Sequence, residues 1–94
     1  MTLIGFEWDI DKDLFNQQKH GVSFAEATRA FEDTARLIVQ DKRHSTRSEK
    51  RYFCIGRVRR GVLTVRFTYR AGKIRIFGAG FWREGKIRYE TQPR

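Results

Sequence analysis

A single cysteine, Cys54, leaves nothing to pair with inside the chain. A disulfide framework is excluded, and a reducing compartment fits. The only proline, Pro93, lies at the tail, and no Gly/Ser-rich stretch interrupts the sequence, so one domain over residues 1–94 is expected. No apolar run approaches the roughly 20 residues of a membrane span. The opening MTLIGFEWDIDKD lacks the basic start, apolar middle and small-residue cleavage site of a signal peptide. A cytoplasmic protein is the expectation. Two histidines, His20 and His44, and one cysteine make no ligand cluster at any zinc spacing. Gly56, Gly61 and Gly72 form no phosphate-cradling loop ahead of a helix, and no serine sits in a nucleophile elbow. Neither a metal nor another cofactor is expected.

What the sequence does have is an uneven distribution of charge. Residues 1–41 carry eight acids and four bases, whereas residues 42–94 carry sixteen Lys or Arg against Glu49, Glu84 and Glu90. The net charge of +9 therefore resides in the second half. Such a face attracts polyanions, with RNA or DNA phosphates the commonest and an acidic protein surface the other. A hydrophobic fraction of 39% supports a folded core despite the charge.

The periodicity predicts a short edge strand over Ile4–Trp8 and a helix capped by Asp9 that runs to about Lys19 and stops at His20-Gly21. Ser23-Phe24-Ala25-Glu26 reads as a capping box opening a second helix to about Glu32, with Phe24, Ala27, Ala30 and Phe31 on one face. The period then becomes two. Strands are predicted at Leu37–Asp41, Arg51–Arg59, Val62–Arg70 and Lys73–Ala79, with a polar loop at Lys42–Ser48 and turns at Arg60-Gly61 and Ala71-Gly72. A short helix is expected over Trp82–Glu90, weakened by Gly85. The expected fold is α+β, with two N-terminal helices packed on one face of an antiparallel sheet. The other face is expected to be partly bare and basic, since Leu63, Val65, Phe67 and Tyr69 alternate with Thr64, Arg66, Thr68 and Arg70.

RNA can be cut without metal if a base takes the 2′-OH proton, cations stabilise the phosphorane and an acid protonates the leaving 5′ oxygen. His44 and Glu49 are the candidate acid and base, with Arg51 and Arg75 as the stabilising cations. Lys19, His20, Arg57, Arg66, Arg70 and Arg83 are candidate RNA-binding residues. Each has a plainer reading. His44 reads more simply as a solvated loop residue, Glu49 as a surface partner of Arg51 or Lys50 and His20 as a helix C-terminal cation, while Arg66 and Arg75 look identical to a solvated strand face. Trp8 and Phe31 are assigned to the core and Tyr69 to its rim. Trp82, flanked by Phe81, is a candidate exposed partner contact.

Several strings in order carry a family resemblance: Phe6-Glu7-Trp8-Asp9, Lys19-His20-Gly21-Val22-Ser23-Phe24, Glu26-Ala27, Phe31-x-Asp33, Asp41, His44-Ser45, Glu49-x-Arg51-Tyr52, Ile55-Gly56, Ile74-Arg75-Ile76 and Arg88-Tyr89-Glu90. Over about residues 6–90 the chain resembles the BrnT family of type II toxins. The resemblance implies a RelE/ParE-like ribonuclease that inhibits translation by cutting RNA without metal. It also implies a BrnA-like antitoxin with a ribbon-helix-helix DNA-binding domain, through which the complex binds promoter DNA. His44, Glu49, Arg51, Arg75, Lys19 and His20 fall on family motif positions.

One departure stands out. The family's last strand runs Arg-Ile-Ile-Ser-Ala-Arg, whereas here it reads Arg75-Ile76-Phe77-Gly78-Ala79-Gly80. The second arginine is missing, or Arg83 replaces it from a shifted position. The departure motivates one alternative, a weakened homologue that keeps antitoxin and promoter binding; the resemblance implies another, a ParE-like inhibitor of a different target on the same fold.

Overall fold

The structure is a computed structural model and describes residues 2–3 and 5–93; Ile4, the predicted start of the first strand, lies outside the described residues. In chain order the elements are β1 (Thr2–Leu3), β2 (Phe6–Trp8), α1 (Ile10–His20), α2 (Phe24–Ala27), a 3-10 helix (Thr28–Glu32), β3 (Leu37–Gln40), β4 (Arg51–Val58), β5 (Gly61–Arg70), β6 (Lys73–Gly80) and α3 (Arg83–Glu90). They build one six-stranded sheet in the order β1-β2-β6-β5-β4-β3. Among the described residues no helix is long and apolar enough to cross a membrane.

The expected layout of two N-terminal helices on one face of an antiparallel sheet is corrected on three points. The sheet is mixed, because β2 runs parallel to β6. Three residues carry too little pattern to declare the direction of a partner almost seventy positions away. The second helix is a single α turn that tightens into the 3-10 helix, where the Thr28 hydroxyl donates to the Ala25 carbonyl at 2.7 Å, a local bond that competes with helix propagation. Its capping box is half made. Ser23 accepts from the Glu26 N–H at 3.0 Å, but the Glu26 carboxylate turns away to pair with Arg60.

The third correction concerns α1, which does not lay an apolar stripe on the sheet. Ile10, Leu14 and Phe15 are exposed, and its one buried residue is Asn16. The Asn16 Nδ2 donates to the Ala79 and Val22 carbonyls, both at 2.9 Å, and its Oδ1 accepts from the Ala79 N–H at 3.2 Å. Pairing of β2 with β6 ends at Trp8 and Ile76, so the amide completes the sheet edge just beyond, and α1 lies along that edge.

One sheet face is buried by α2 and the 3-10 helix. Val22, Phe24, Ala27 and Ala30 meet Trp8, Cys54, Leu63, Val65, Phe67 and Ile76 there, while Phe31 packs at the side of this core and Tyr69 is exposed at its rim. The approach is closest at Gly56, where a Cβ would fall on the Ala30 carbonyl oxygen. At the far end of the sheet Asp33 accepts from Tyr89 Oη, from the Arg57 N–H at 2.7 Å and from the Ala35 N–H at 2.9 Å. Burial raises its pKa, but these bonds outweigh burial and hold the carboxyl below its ordinary value.

The opposite sheet face is only half covered. Gly85 brings α3 against Thr64 and Ile55, at the end away from Arg51, Thr68 and Arg75. Gly56→Ala is expected to destabilise the fold by about 1–3 kcal/mol through overpacking at a backbone contact. Urea denaturation checks this; an unchanged midpoint would mean that the 3-10 helix can move away without cost.

Candidate active site

Cross-strand neighbours share a face, so the register defines rows of side chains on the half-open face. One row runs Arg51, Thr68, Arg75 and Glu7 across β4, β5, β6 and β2. The next runs Phe53, Arg66 and Gly78, and the third Ile55, Thr64 and Gly80. Neighbouring strands are ~4.8 Å apart, which brings the long side chains of a row within reach of one another. Between the first two rows the register slips by one residue at Arg66/Phe67. Phe77 is the extra residue of this bulge, a feature common beside binding sites. The Arg51 guanidinium lies 4.3 Å from its ring centroid.

The first row extends past the end of β3. The Asp41 N–H donates to the Arg51 carbonyl at 2.7 Å, which sets Asp41 opposite Arg51 and on its face. The reciprocal ladder bond is replaced by a hydroxyl: Ser45 Oγ donates to the Asp41 carbonyl at 2.6 Å and accepts from the Arg51 N–H at 2.9 Å. The buried Asp41 carboxylate then takes the His44 N–H at 3.2 Å through Oδ1 and the His44 ring Nδ1 at 2.8 Å through Oδ2. A carboxylate only accepts, so Nδ1 is the donor and Nε2 is left free. With the His44 side chain 49% exposed against 6% for Asp41, this is an oriented imidazole on a buried anchor, an arrangement suited to proton transfer.

Glu49 is not free. Its carboxylate takes Arg51 Nε at 3.0 Å and an Arg70 guanidinium nitrogen at 2.8 Å. The Arg70 bond first, then the Arg51 bond, holds its pKa below the ordinary value of 4.5, which makes it a poor proton donor and a good clamp for two arginines. Arg75 is paired likewise, with Glu7 at 2.7 Å.

Beside these rows lies a groove lined by Lys12, Phe15, Lys19 and His20 from α1, by Arg51, Arg66, Phe77 and Gly78 from the sheet, and by Trp82. The structure thus gathers Lys19, His20, Arg51 and Arg66 in one groove. His44, Glu49, Arg70 and Arg75 do not line it; Glu49 and Arg70 connect to Arg51 by ion pairs, Arg75 is its neighbour in the row, and His44 is held by Asp41 opposite Arg51. Arg57 is not in this group: it lies six residues along β4 from Arg51, about 20 Å away, over the Tyr89 ring. Arg83 opens α3, is exposed and does not line the groove.

Sequence reasoning missed Lys12, Phe15, Phe77 and the anchoring roles of Asp41, Ser45 and Glu7. A signal for the first two was present. Residues 12, 15, 16, 19 and 20 follow the i, i+3, i+4, i+7, i+8 spacing of one helix face, but the stripe is polar and does not announce itself as a docking face.

A family model described as the BrnT ribonuclease toxin of type II toxin-antitoxin systems matches residues 8–85. The chain belongs to the BrnT family. No curated protein matches the chain. Membership in the BrnT family makes this a ribonuclease toxin of a type II system, whose partner is an antitoxin and whose substrate is RNA. The matched span holds every row described above except Glu7.

The depressed pKa of Glu49 has a consequence in acid. A carboxyl lowered in the folded state contributes stability that is complete above its unfolded value and fades as the pH falls through the folded value. Glu49→Gln is therefore expected to be less stable than the parent at neutral pH, with the difference vanishing in acid well below pH 4.5. Thermal denaturation across pH checks this; a difference that persists in acid would assign it to packing instead.

Proposed function

We infer that this chain cleaves RNA by metal-independent transesterification and thereby inhibits translation. The observation that carries the reading is the His44 imidazole oriented by Asp41, which itself stands opposite Arg51. The 2′ oxygen attacks the adjacent phosphorus as its proton passes to the base, the bond from phosphorus to the 5′ oxygen breaks, and that oxygen takes a proton from the acid. His44 Nε2 serves in proton transfer. Arg51, Arg66 and Arg75 face the negative charge that grows on the phosphorane oxygens. Glu49, the other candidate acid or base, instead holds Arg51 and Arg70 in place. What supports the reading is that an oriented imidazole and several guanidinium groups share this side of the sheet, the acid-base and charge-stabilising groups that RNA transesterification uses.

The partner is a BrnA-like antitoxin whose ribbon-helix-helix domain carries the promoter DNA contact. An acidic segment laid over Arg51 and Arg66 gains charge complementarity and blocks RNA together. The site of action is the cytoplasm, where translated RNA is.

A second reading, a weakened toxin, has one observation in its favour. Gly80 stands where the family resemblance expects an arginine, and the Trp82 indole occupies the space its side chain would need.

The test is purified protein with a short single-stranded RNA in excess EDTA. Cleavage leaving a 2′,3′-cyclic phosphate is expected, and His44→Ala is expected to slow it about 10²–10⁴-fold while the protein stays folded by circular dichroism. A His44→Ala protein as fast as the parent removes the acid-base assignment, whereas a parent that leaves all RNA intact favours the second reading.

A further inference from the structure

The groove between α1 and Trp82 holds more than the proton-transfer step uses. Among its cations stand three aromatic rings: Phe15, Phe77 and Trp82. Two already lie under charge, with the Arg51 guanidinium 4.3 Å from the Phe77 centroid and Lys19 Nζ 5.8 Å from that of Phe15. Rings interleaved with cations are the makeup of sites for unpaired strands, where bases stack on rings while the backbone follows the charge. Double-stranded RNA, with its bases already stacked, is bound through its sugars and phosphates instead. At about 300 Å³ the groove is at the small end of ligand clefts, room for a base or two and not for a helix.

Trp82 is the ring whose position the structure specifies most closely. A Cβ at Gly80 would lie 2.5 Å from its Cε2 and 2.7 Å from its Cζ2, so the indole can rest there only over glycine. On its other flank the His20 ring meets it edge to face, at 5.3 Å between centroids and 87° between planes. Gly78 leaves the floor beside it low, with Arg66 the nearest cation. Trp82 is half-buried, so part of the ring remains open to the groove. The α1 cations Lys12 and Lys19 stand on the same helix face as His20 and line the same groove.

We propose that Trp82, seated on Gly80 and braced by His20, is the stacking wall for an unpaired base of single-stranded RNA whose backbone follows Arg66, Lys19 and Lys12. This rests on the ribonuclease reading for the identity of the strand, and adds to it a base subsite and a preference for unpaired RNA.

The test uses the full chain carrying His44→Ala, so that the strand is not consumed. It compares a short single-stranded RNA, the same strand annealed to its complement, and a strand of equal length with abasic ribose throughout. Tighter binding of the single strand than of the duplex is expected. Trp82→Leu is expected to weaken single-strand binding about 5- to 100-fold, Trp82→Phe to retain most of it, and neither to alter binding of the abasic strand. Tryptophan emission is expected to be quenched by single-stranded RNA, and this quench to be absent after Trp82→Phe. Should Trp82→Leu fail to fold, the quench comparison decides.

Undiminished binding by the leucine variant, or an unquenched indole, overturns the proposal. Equal loss on the abasic strand also overturns it, since Trp82 would then only prop the groove. Loss of antitoxin binding with RNA binding intact overturns it in favour of a protein contact. A protein that binds no RNA in any form fails the ribonuclease reading as well, whereas RNA bound and cut with indifference to Trp82 removes the stacking wall alone.

Discussion

The geometry of the open face depends on one buried amide. Asn16 uses both donors and its acceptor, on Val22, on the Ala79 carbonyl and on the Ala79 N–H, and is 5% exposed. Without it, polar backbone groups at a buried sheet edge would have no partner, which costs more than an average hydrogen bond contributes. The amide also fixes rotation. Once Asn16 points at β6, helical geometry carries Lys12, Phe15, Lys19 and His20 to the side of α1 that overlooks the sheet arginines. An apolar stripe would have tolerated some rolling of the helix, but a three-bond amide does not. Ile10 and Leu14 are left in solvent as a result.

The carboxylates of this face do not cancel its charge so much as hold it in place. Glu7 takes Arg75, Glu49 takes Arg51 and Arg70, and Asp41 takes His44. Each guanidinium has five N–H donors in a planar fork, so an arginine with one carboxylate partner keeps donors for a phosphate while losing freedom to wander. Arg66, between the two halves of the groove, has no carboxylate partner among the described residues. The mean field is positive and its sources are fixed.

Strands and turns were legible because their signals are local. The alternation through Val62–Arg70 and the turn residues Ala71-Gly72 fall where β5, β6 and their connection stand. The relations that make the site are not local. The parallel partnership of β2 with β6, the bulge at Phe77 and the docking of α1 through an amide each arise from tertiary register. A three-residue strand, one extra residue in a ladder and a single asparagine give no periodic trace. The loop motif was legible as residues but not as roles. His44-Ser45 stands out in a polar run, yet that the serine bridges a missing ladder bond and that Asp41 anchors the imidazole follows only from Asp41 facing Arg51. Arg57 was legible as a basic strand residue, and strand length alone moves it out of the group.

The exchange at Gly80 ties these points together. An arginine there would offer phosphate a charge, a contact weakened by salt because its strength comes from displaced counterions. The indole that takes its space offers a surface, and stacking draws on apolar area and ring electrostatics instead. An arginine's charge is absent at Gly80, but α1 supplies positive charge to the same groove: Lys12 and Lys19 face it by the rotation that Asn16 imposes. The glycine, the indole and the asparagine are therefore one device. Asn16 sets the α1 side of the groove, Gly80 leaves the space beside β6 open, and the Trp82 indole fills it.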